Sequence, residues 1–154
     1  MAFHIVLYQP EIPANTGNIV RTCSVTGTNL HLIHPLGFSI EDKYLKRAGL
    51  DYWDEVSIHH YDSFEEFLTK KGDGQVYFIE TNGTDYYSQK KLKDGDYFVF
   101  GKETTGIPKD LLERFKDQVI RIPMKPNTRS LNLSNTAAIV LYEALRQTSF
   151  SSLI

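Results

Sequence analysis

Three stretches of this sequence carry more chemistry than turns require. The first, Gln9-Pro10-Glu11-Ile12-Pro13-Ala14-Asn15-Thr16-Gly17-Asn18, leads into a helical segment that presents Arg21. Asn15 or Thr16 can serve as the helix N-cap. Arg21 then lies near the helix start, where the macrodipole disfavours a cation, and a plain solvated charge leaves that placement unexplained. The second stretch, Gly101-Lys102-Glu103-Thr104-Thr105-Gly106-Ile107-Pro108, follows an apolar run that ends at Phe100. Its glycines let a backbone approach a ligand closely, with a carboxylate between them. Gly106 is followed by Ile107, so the stretch is neither a P-loop nor a dinucleotide fingerprint; a tight strand-to-helix turn is the plainer account. The third runs from Ile122-Pro123-Met124-Lys125-Pro126 through Asn127, Thr128 and Arg129 to Ser130-Leu131-Asn132-Leu133-Ser134-Asn135. Ser130, Asn132 and Ser134 compete for one N-cap position, so at least one is surplus to capping. Pro123, Met124 and Pro126 make this loop unusually apolar, which suits a pocket wall for a flat or thioether-bearing ligand.

The elements that must position these loops alternate along the chain. Phe3 to Tyr8 reads as a strand, and Thr16 to Thr26 as a helix with Ile19, Val20 and Cys23 on one face, stopped by Gly27. Leu30 to His34 is a second strand, after which Ser39 and Asp42 form a capping-box pattern for a short helix ending at Gly49. Val56 to His60 is a weak strand. Ser63 with Glu66 caps a helix carrying Phe64, Phe67 and Leu68, closed by Gly72. Val76 to Glu80 and Tyr97 to Phe100 are unbroken apolar runs, Pro108 opens a helix with Leu111, Leu112 and Phe115, and Val119 to Ile122 is the last strand. From about Leu131 to Gln147, Ala137, Ala138, Leu141 and Leu145 make a helical apolar stripe. Strands without polar alternation, separated by helices, predict a parallel α/β sheet covered on both faces. In such sheets ligands sit beyond the carboxyl ends of the strands, where all three loops fall.

Composition narrows the class. The 154 residues carry 17 Lys and Arg against 19 Asp and Glu, a net charge of −2, and 41% hydrophobic residues, as in an ordinary single globular domain spanning 1–154. Cys23 is the one cysteine, so a disulfide-rich module and a cysteine-ligated zinc site are excluded and the cytoplasm is the expected compartment. The N-terminus is a poor signal peptide, and no apolar run approaches the ~18 residues of a membrane span. Near neutrality argues neither for nor against nucleic acid; binding RNA requires a local basic patch. The histidines His31, His34, His59 and His60 lack Cys or carboxylate partners at ligand spacing, so no metal is expected. Tyr52-Trp53 and Tyr86-Tyr87 could stack on bases or simply pack.

Taken in order, the run from Asn15 through Gly17 to Arg21, the Phe98-Val99-Phe100-Gly101-Lys102-Glu103-Thr104-Thr105-Gly106 segment, and Ile122-Pro123-Met124 with Ser130-Leu131-Asn132-Leu133-Ser134 resemble the three motifs of SpoU-type methyltransferases of the SPOUT superfamily. The likeness extends from Phe3 to about Gln147. Pro10 to Ile19, Arg47-Ala48-Gly49-Leu50-Asp51-Tyr52 and Tyr142-Glu143-Ala144 most resemble the branch acting on the tRNA wobble nucleotide.

The resemblance implies a parallel-sheet SPOUT fold with a C-terminal deep trefoil knot, which periodicity alone does not reveal. It implies transfer of a methyl group from S-adenosylmethionine to the ribose 2′-oxygen of the wobble nucleotide, cytidine or carboxymethylaminomethyluridine, of tRNA by a homodimer whose site borrows from the neighbouring subunit. Carried over, Ile79, Thr81, Gly101, Ile122, Met124, Ser130 and Leu131 line the cofactor pocket, and Arg21, Glu103, Ser130 and Asn132 serve catalysis. A guanidinium stays protonated and has no acceptor, so Arg21 is expected to hold phosphate and stabilise a developing alkoxide, with Glu103 and Asn132 orienting it; Glu103 could instead merely satisfy loop amides. Lys125 and Arg129, bordering the site, are the expected RNA contacts beside Arg21. Lys43, Lys46, Arg47 and the Lys90, Lys91, Lys93 group are more simply solvated faces. The last helix, with Tyr142, is either an interface or simply core. Two other functions remain open: the same reaction at another tRNA or rRNA position, and a non-catalytic knotted RNA-binding domain.

Overall fold

The computed structural model describes residues 2–154, the side chains at 49–51 excepted. Seven parallel strands form one sheet: β1 (His4–Tyr8), β2 (Asn29–Ile33), β3 (Ile58–Tyr61), β4 (Val76–Ile79), β5 (Asp85–Tyr86), β6 (Tyr97–Phe100) and β7 (Val119–Arg121), in the order β3-β2-β1-β6-β4-β7-β5. Five helices cover it: α1 (Pro13–Thr26), α2 (Lys43–Trp53), α3 (Phe64–Lys70), α4 (Lys109–Arg114) and α5 (Leu133–Gln147). Successive strand residues point to opposite faces. Ile5, Leu7, Leu30, Leu32, Phe98 and Phe100 join Ile19, Val20, Val140, Leu141 and Ala144 in one core. Val6, Ile33, Phe78, Val99 and Tyr97 join Phe64, Phe67, Ile107 and Leu111 in the other. Both faces are therefore apolar, which explains why the central strands are unbroken hydrophobic runs and bears out the α/β, parallel-sheet expectation.

Several boundaries differ from the sequence pattern. Helix α1 begins at Pro13, not Thr16: proline occupies the first turn, and the N-cap residue Ile12 offers no side-chain cap of its own. Asn15 and Thr16 are thus inside the helix and Arg21 lies roughly two turns in, beyond the reach of the helix-end dipole. Helix α2 continues to Trp53 instead of stopping at Gly49; it is capped by Asp42 alone, whose side chain accepts from Tyr44 N at 2.8 Å, while Ser39 Oγ accepts from Glu41 N. Ser63 caps α3 as expected, accepting from Glu66 N at 3.1 Å. In α5 the buried stripe includes Val140, and Ala138 is only partly buried. The short polar strand β5 carries no periodicity that would mark it in the sequence.

The connection from β4 to β5 is short for a parallel pair, which ordinarily needs a crossover of a dozen or more residues. It suffices because β5 starts where β4 stops: Ile79 and Asp85 are both level with Ile120. Residues 80–84 therefore step across β7, the later strand lying between β4 and β5. The step is close, since a Cβ at Gly83 would lie 2.8 Å from the Ile120 carbonyl carbon.

The other half of the sheet holds a histidine and tyrosine network. His4 Nδ1 and His31 Nε2 lie 2.9 Å apart, His31 Nδ1 meets the Tyr61 hydroxyl at 2.9 Å, and His4 stacks on Tyr97. Burial, then neighbouring histidines, lower the pKa of His4 to about 4 and of His31, 4% exposed, to about 3. Unfolded, both imidazoles take up protons near pH 6.5, whereas folded they stay neutral to well below pH 5. The unfolded state binds more protons across that window, so stability is complete above pH 7 and falls as the pH drops through 6.5. His31 should cost up to about 1.4 kcal/mol per pH unit, and the more exposed His4 less because solvent screens it. The urea midpoint is expected to be clearly lower at pH 5.0 than at pH 7.5; equal midpoints would mean that these imidazoles charge without unfolding the chain.

Candidate active site

The loops after β1, β6 and β7 converge because four side chains tie them together. Glu103, in the β6–α4 loop, accepts from Glu11 N at 3.0 Å, Ile12 N at 2.7 Å and Asn15 Nδ2 at 3.3 Å. This carboxylate supplies the N-terminal cap that α1 lacks locally, and a negative group at a helix start is also favoured by the dipole. Glu11 answers in the opposite direction, accepting from Thr104 N at 3.1 Å and Thr104 Oγ1 at 2.8 Å; those hydrogen bonds hold its pKa below the ordinary carboxylate range. Asn15, 5% exposed, extends the chain by accepting from Asn132 Nδ2 at 3.1 Å. Asn132 is the N-cap of α5, its Oδ1 accepting from Ser134 N at 2.9 Å and Ser134 Oγ at 2.6 Å. The competition for that cap is thereby resolved: Asn132 fills it, Ser134 donates to it and Ser130 is left over.

Between these loops lies a cleft of about 440 Å³ at the carboxyl ends of β4, β6 and β7. Ile79, Thr81, Gly101, Ile122, Met124, Ser130 and Leu131 all line it, as do Glu103 and Asn132. Its walls are apolar at Ile79, Phe100, Ile122, Met124, Leu131 and Leu133. Gly101 is required on steric grounds, because a Cβ there would lie 2.2 Å from the Gly106 carbonyl carbon. Gly106, at φ +72°, closes the loop through paired hydrogen bonds with Lys102.

Glu80 is a lining residue that strand reading passed over. Its Oε1 accepts from Thr81 N at 3.0 Å and its Oε2 from Ile107 N at 3.2 Å, bracing the end of β4 against the β6–α4 loop. A carboxylate just past an apolar strand and shortly before a glycine step is the signal that could have flagged it.

Arg21 is not among the residues lining the cleft of its own chain. It is exposed on α1 with its guanidinium over the Tyr52 ring, 5.1 Å from the centroid. Glu103 and Asn132 therefore do not orient it within one chain: their polar atoms are engaged by the loops. Lys125 and Arg129 are exposed on the loop after β7. Of the other basic groups, Lys46 pairs with Glu41 and Lys90 with Asp85, which fits a solvated face. Cys23 is buried, and desolvation pushes its thiol pKa up to about 12, which disfavours the thiolate. Among the described residues no group of three or more His, Cys, Asp or Glu is placed to hold a metal ion.

Fold and cleft together define an α/β protein with a cleft in the loops at its strand ends, closely approached backbone at glycine and apolar side walls. The chain belongs to the SpoU rRNA Methylase family, whose model matches residues 2–142. A Methylovorus glucosotrophus protein named tRNA (cytidine(34)-2′-O)-methyltransferase is 49% identical, covering 99% of both chains. A Geobacillus stearothermophilus protein, 58% identical over 99% of both chains, carries the same name provisionally. A solved structure presented as insight into the 2-OH methylation of C/U34 on tRNA is 43% identical and superposes with a TM-score of 0.92 over 97% of both chains.

The Asn15 bridge should be measurable. Asn15→Ala removes an acceptor from Asn132 and a donor from Glu103 at a buried position, and is expected to lower stability by about 1–3 kcal/mol in urea unfolding. A loss below about 0.5 kcal/mol would show that the loops converge without it.

Proposed function

We propose that this chain transfers a methyl group from S-adenosylmethionine to the ribose 2′-oxygen of the wobble nucleotide of tRNA, cytidine or carboxymethylaminomethyluridine, and acts as a cytoplasmic homodimer with a C-terminal trefoil knot. The observation that carries the reading is the convergence of the three motif loops on one cleft, in a chain about half identical to proteins so named. The volume lies within the range of roughly 300–1,000 Å³ usual for small-molecule sites, and the glycine cradle and apolar walls fit an adenosyl group. S-adenosylmethionine, when bound, supplies an electrophilic methyl on its sulfonium.

The chain's own residues then have distinct tasks. Ile79, Ile122, Met124 and Leu131 flank a flat base, while main-chain groups at Gly101 and the ends of β4 and β7 offer donors and acceptors for its edge. Ser130, free of capping, can hydrogen-bond a ligand from the rim. Glu103 and Asn132 hold the loops in register. Arg21, permanently protonated, grips a phosphate bidentately and stabilises charge that develops on the ribose oxygen. Lys125 and Arg129, at the rim, meet the RNA backbone.

Dimerisation is the means by which Arg21 reaches a cleft, with a second copy completing the site. Supporting it, Val25 of α1, Ile139 and Tyr142 of α5 and the following Phe150 are all exposed apolar groups on the outer side of these two helices. The knot reading is supported by the step of residues 80–84 across β7, since a later strand occupies the slot that an earlier crossover straddles. No helix among the described residues is long and apolar enough to cross a membrane.

The direct test supplies purified protein with methyl-labelled S-adenosylmethionine and unmodified tRNA, then locates label by mass spectrometry of digested RNA. A 2′-O-methyl nucleoside at the wobble position is expected. Label at another position would reassign the substrate, and no binding of S-adenosylmethionine would remove the enzymatic reading. Gly101→Ala should weaken that binding by at least about tenfold in calorimetry, because the added methyl cannot fit without opening the loop. Arg21→Lys should lower turnover by about a hundredfold, since an ammonium cannot make the bidentate fork; near-normal turnover would eliminate it.

A further inference from the structure

Arg21 stands out for what it does not touch. Among the described residues its guanidinium makes no hydrogen bond and no ion pair; its one recorded partner is the face of Tyr52, 5.1 Å away. Tyr52 is the penultimate residue of α2, partly buried, and packs against the larger core. Its ring is thus fixed by the fold while Arg21 lies on top of it. Glu55, the carboxylate just beyond α2 on this side, is taken by Ser24 Oγ of α1 at 2.7 Å. An acidic seat would position Arg21 by occupying its N–H donors and neutralising its charge. An aromatic seat restricts the side chain through the ring face and leaves all five donors and the full charge for another anion.

Resting on the function proposed above, we infer that Tyr52 is a positioning residue for Arg21: its ring face holds the guanidinium, with the N–H fork free for a phosphodiester of the RNA. The part that matters is the ring face, not the hydroxyl. Tyr52→Phe should therefore behave as wild type, and Tyr52→Leu, which keeps an apolar group against the core, should not.

In methyl-transfer assays on tRNA, Tyr52→Leu is expected to lower kcat by about two- to fivefold, the scale of an exposed cation–π contact, with the affinity for S-adenosylmethionine unchanged by calorimetry. In the Arg21→Ala background the same substitution should add nothing, because the residue through which it acts is gone. A readout independent of activity is the ring-current shift of the Arg21 δ-protons by NMR, present in wild type and Tyr52→Phe and lost in Tyr52→Leu. Full activity of Tyr52→Leu, or an equal loss in the Arg21→Ala background, would overturn the inference and leave Tyr52 a packing residue. Absence of methyl transfer by the wild-type chain would instead overturn the functional reading on which it rests, while an intact ring-current shift would still report the seat.

Discussion

The site depends on one shared side chain, Glu103. Three donors from the β1–α1 region converge on its carboxylate, two of them main-chain amides at the start of a helix that has no cap of its own. Remove that carboxylate and α1 begins with unsatisfied N–H groups, a cost of about 1 kcal/mol for an exposed cap and more where water is excluded. Asn15 then passes the restraint to Asn132, and Asn132 to the first turn of α5. Loops that follow three different strands are in this way held by one continuous polar chain, and the cleft is the space they leave.

This arrangement divides the charged residues by task. The carboxylates at the cleft are occupied: Glu103 and Glu11 exchange hydrogen bonds across the two loops, and Glu80 braces a third segment. Lys125 and Arg129 are exposed on the loop after β7, and Arg21 rests on a ring rather than an acid. With a net charge of only −2 the chain has no global attraction for a polyanion. Around the cleft loops Glu103, Glu11 and Glu80 are committed to the protein's own amides while Lys125, Arg129 and Arg21 are exposed, and screening at physiological salt confines the effect of such a separation to within about 8 Å of each group.

Much of this was legible in the sequence because it follows from local chemistry. Unbroken apolar runs announced the buried parallel strands, Ser63 announced the start of α3, and the surplus of capping residues between Ser130 and Ser134 announced a loop with more than one purpose. The seven residues that the family resemblance, rather than any local pattern, assigns to a cofactor pocket line one cleft. What escaped was whatever depends on contacts distant in the chain. The start of α1 was misplaced because its cap comes from Glu103, some ninety residues later. Glu80 looked like the polar end of a strand, and β5 had neither length nor periodicity, existing only through pairing with β7. Arg21 differs from the sequence pattern for the same reason as the start of α1: with the helix beginning at Pro13, it is a mid-helix residue.

The mid-helix position changes the physical account of Arg21. At a helix start its charge would be disfavoured by the dipole, and an anion would be needed to offset the penalty. Two turns in, the dipole is no longer an issue. The position must instead satisfy a long, entropically costly side chain in water, where a free arginine samples many rotamers. A ring fixed by a second helix restricts that freedom without taking a donor. The packing of α1 on α2 therefore sets where Arg21 lies, although no described residue of α2 lines the cleft. Since Glu103 caps the very helix that carries Arg21, the cleft loop and the arginine are joined through the body of α1, which makes the geometry of the one a constraint on the other.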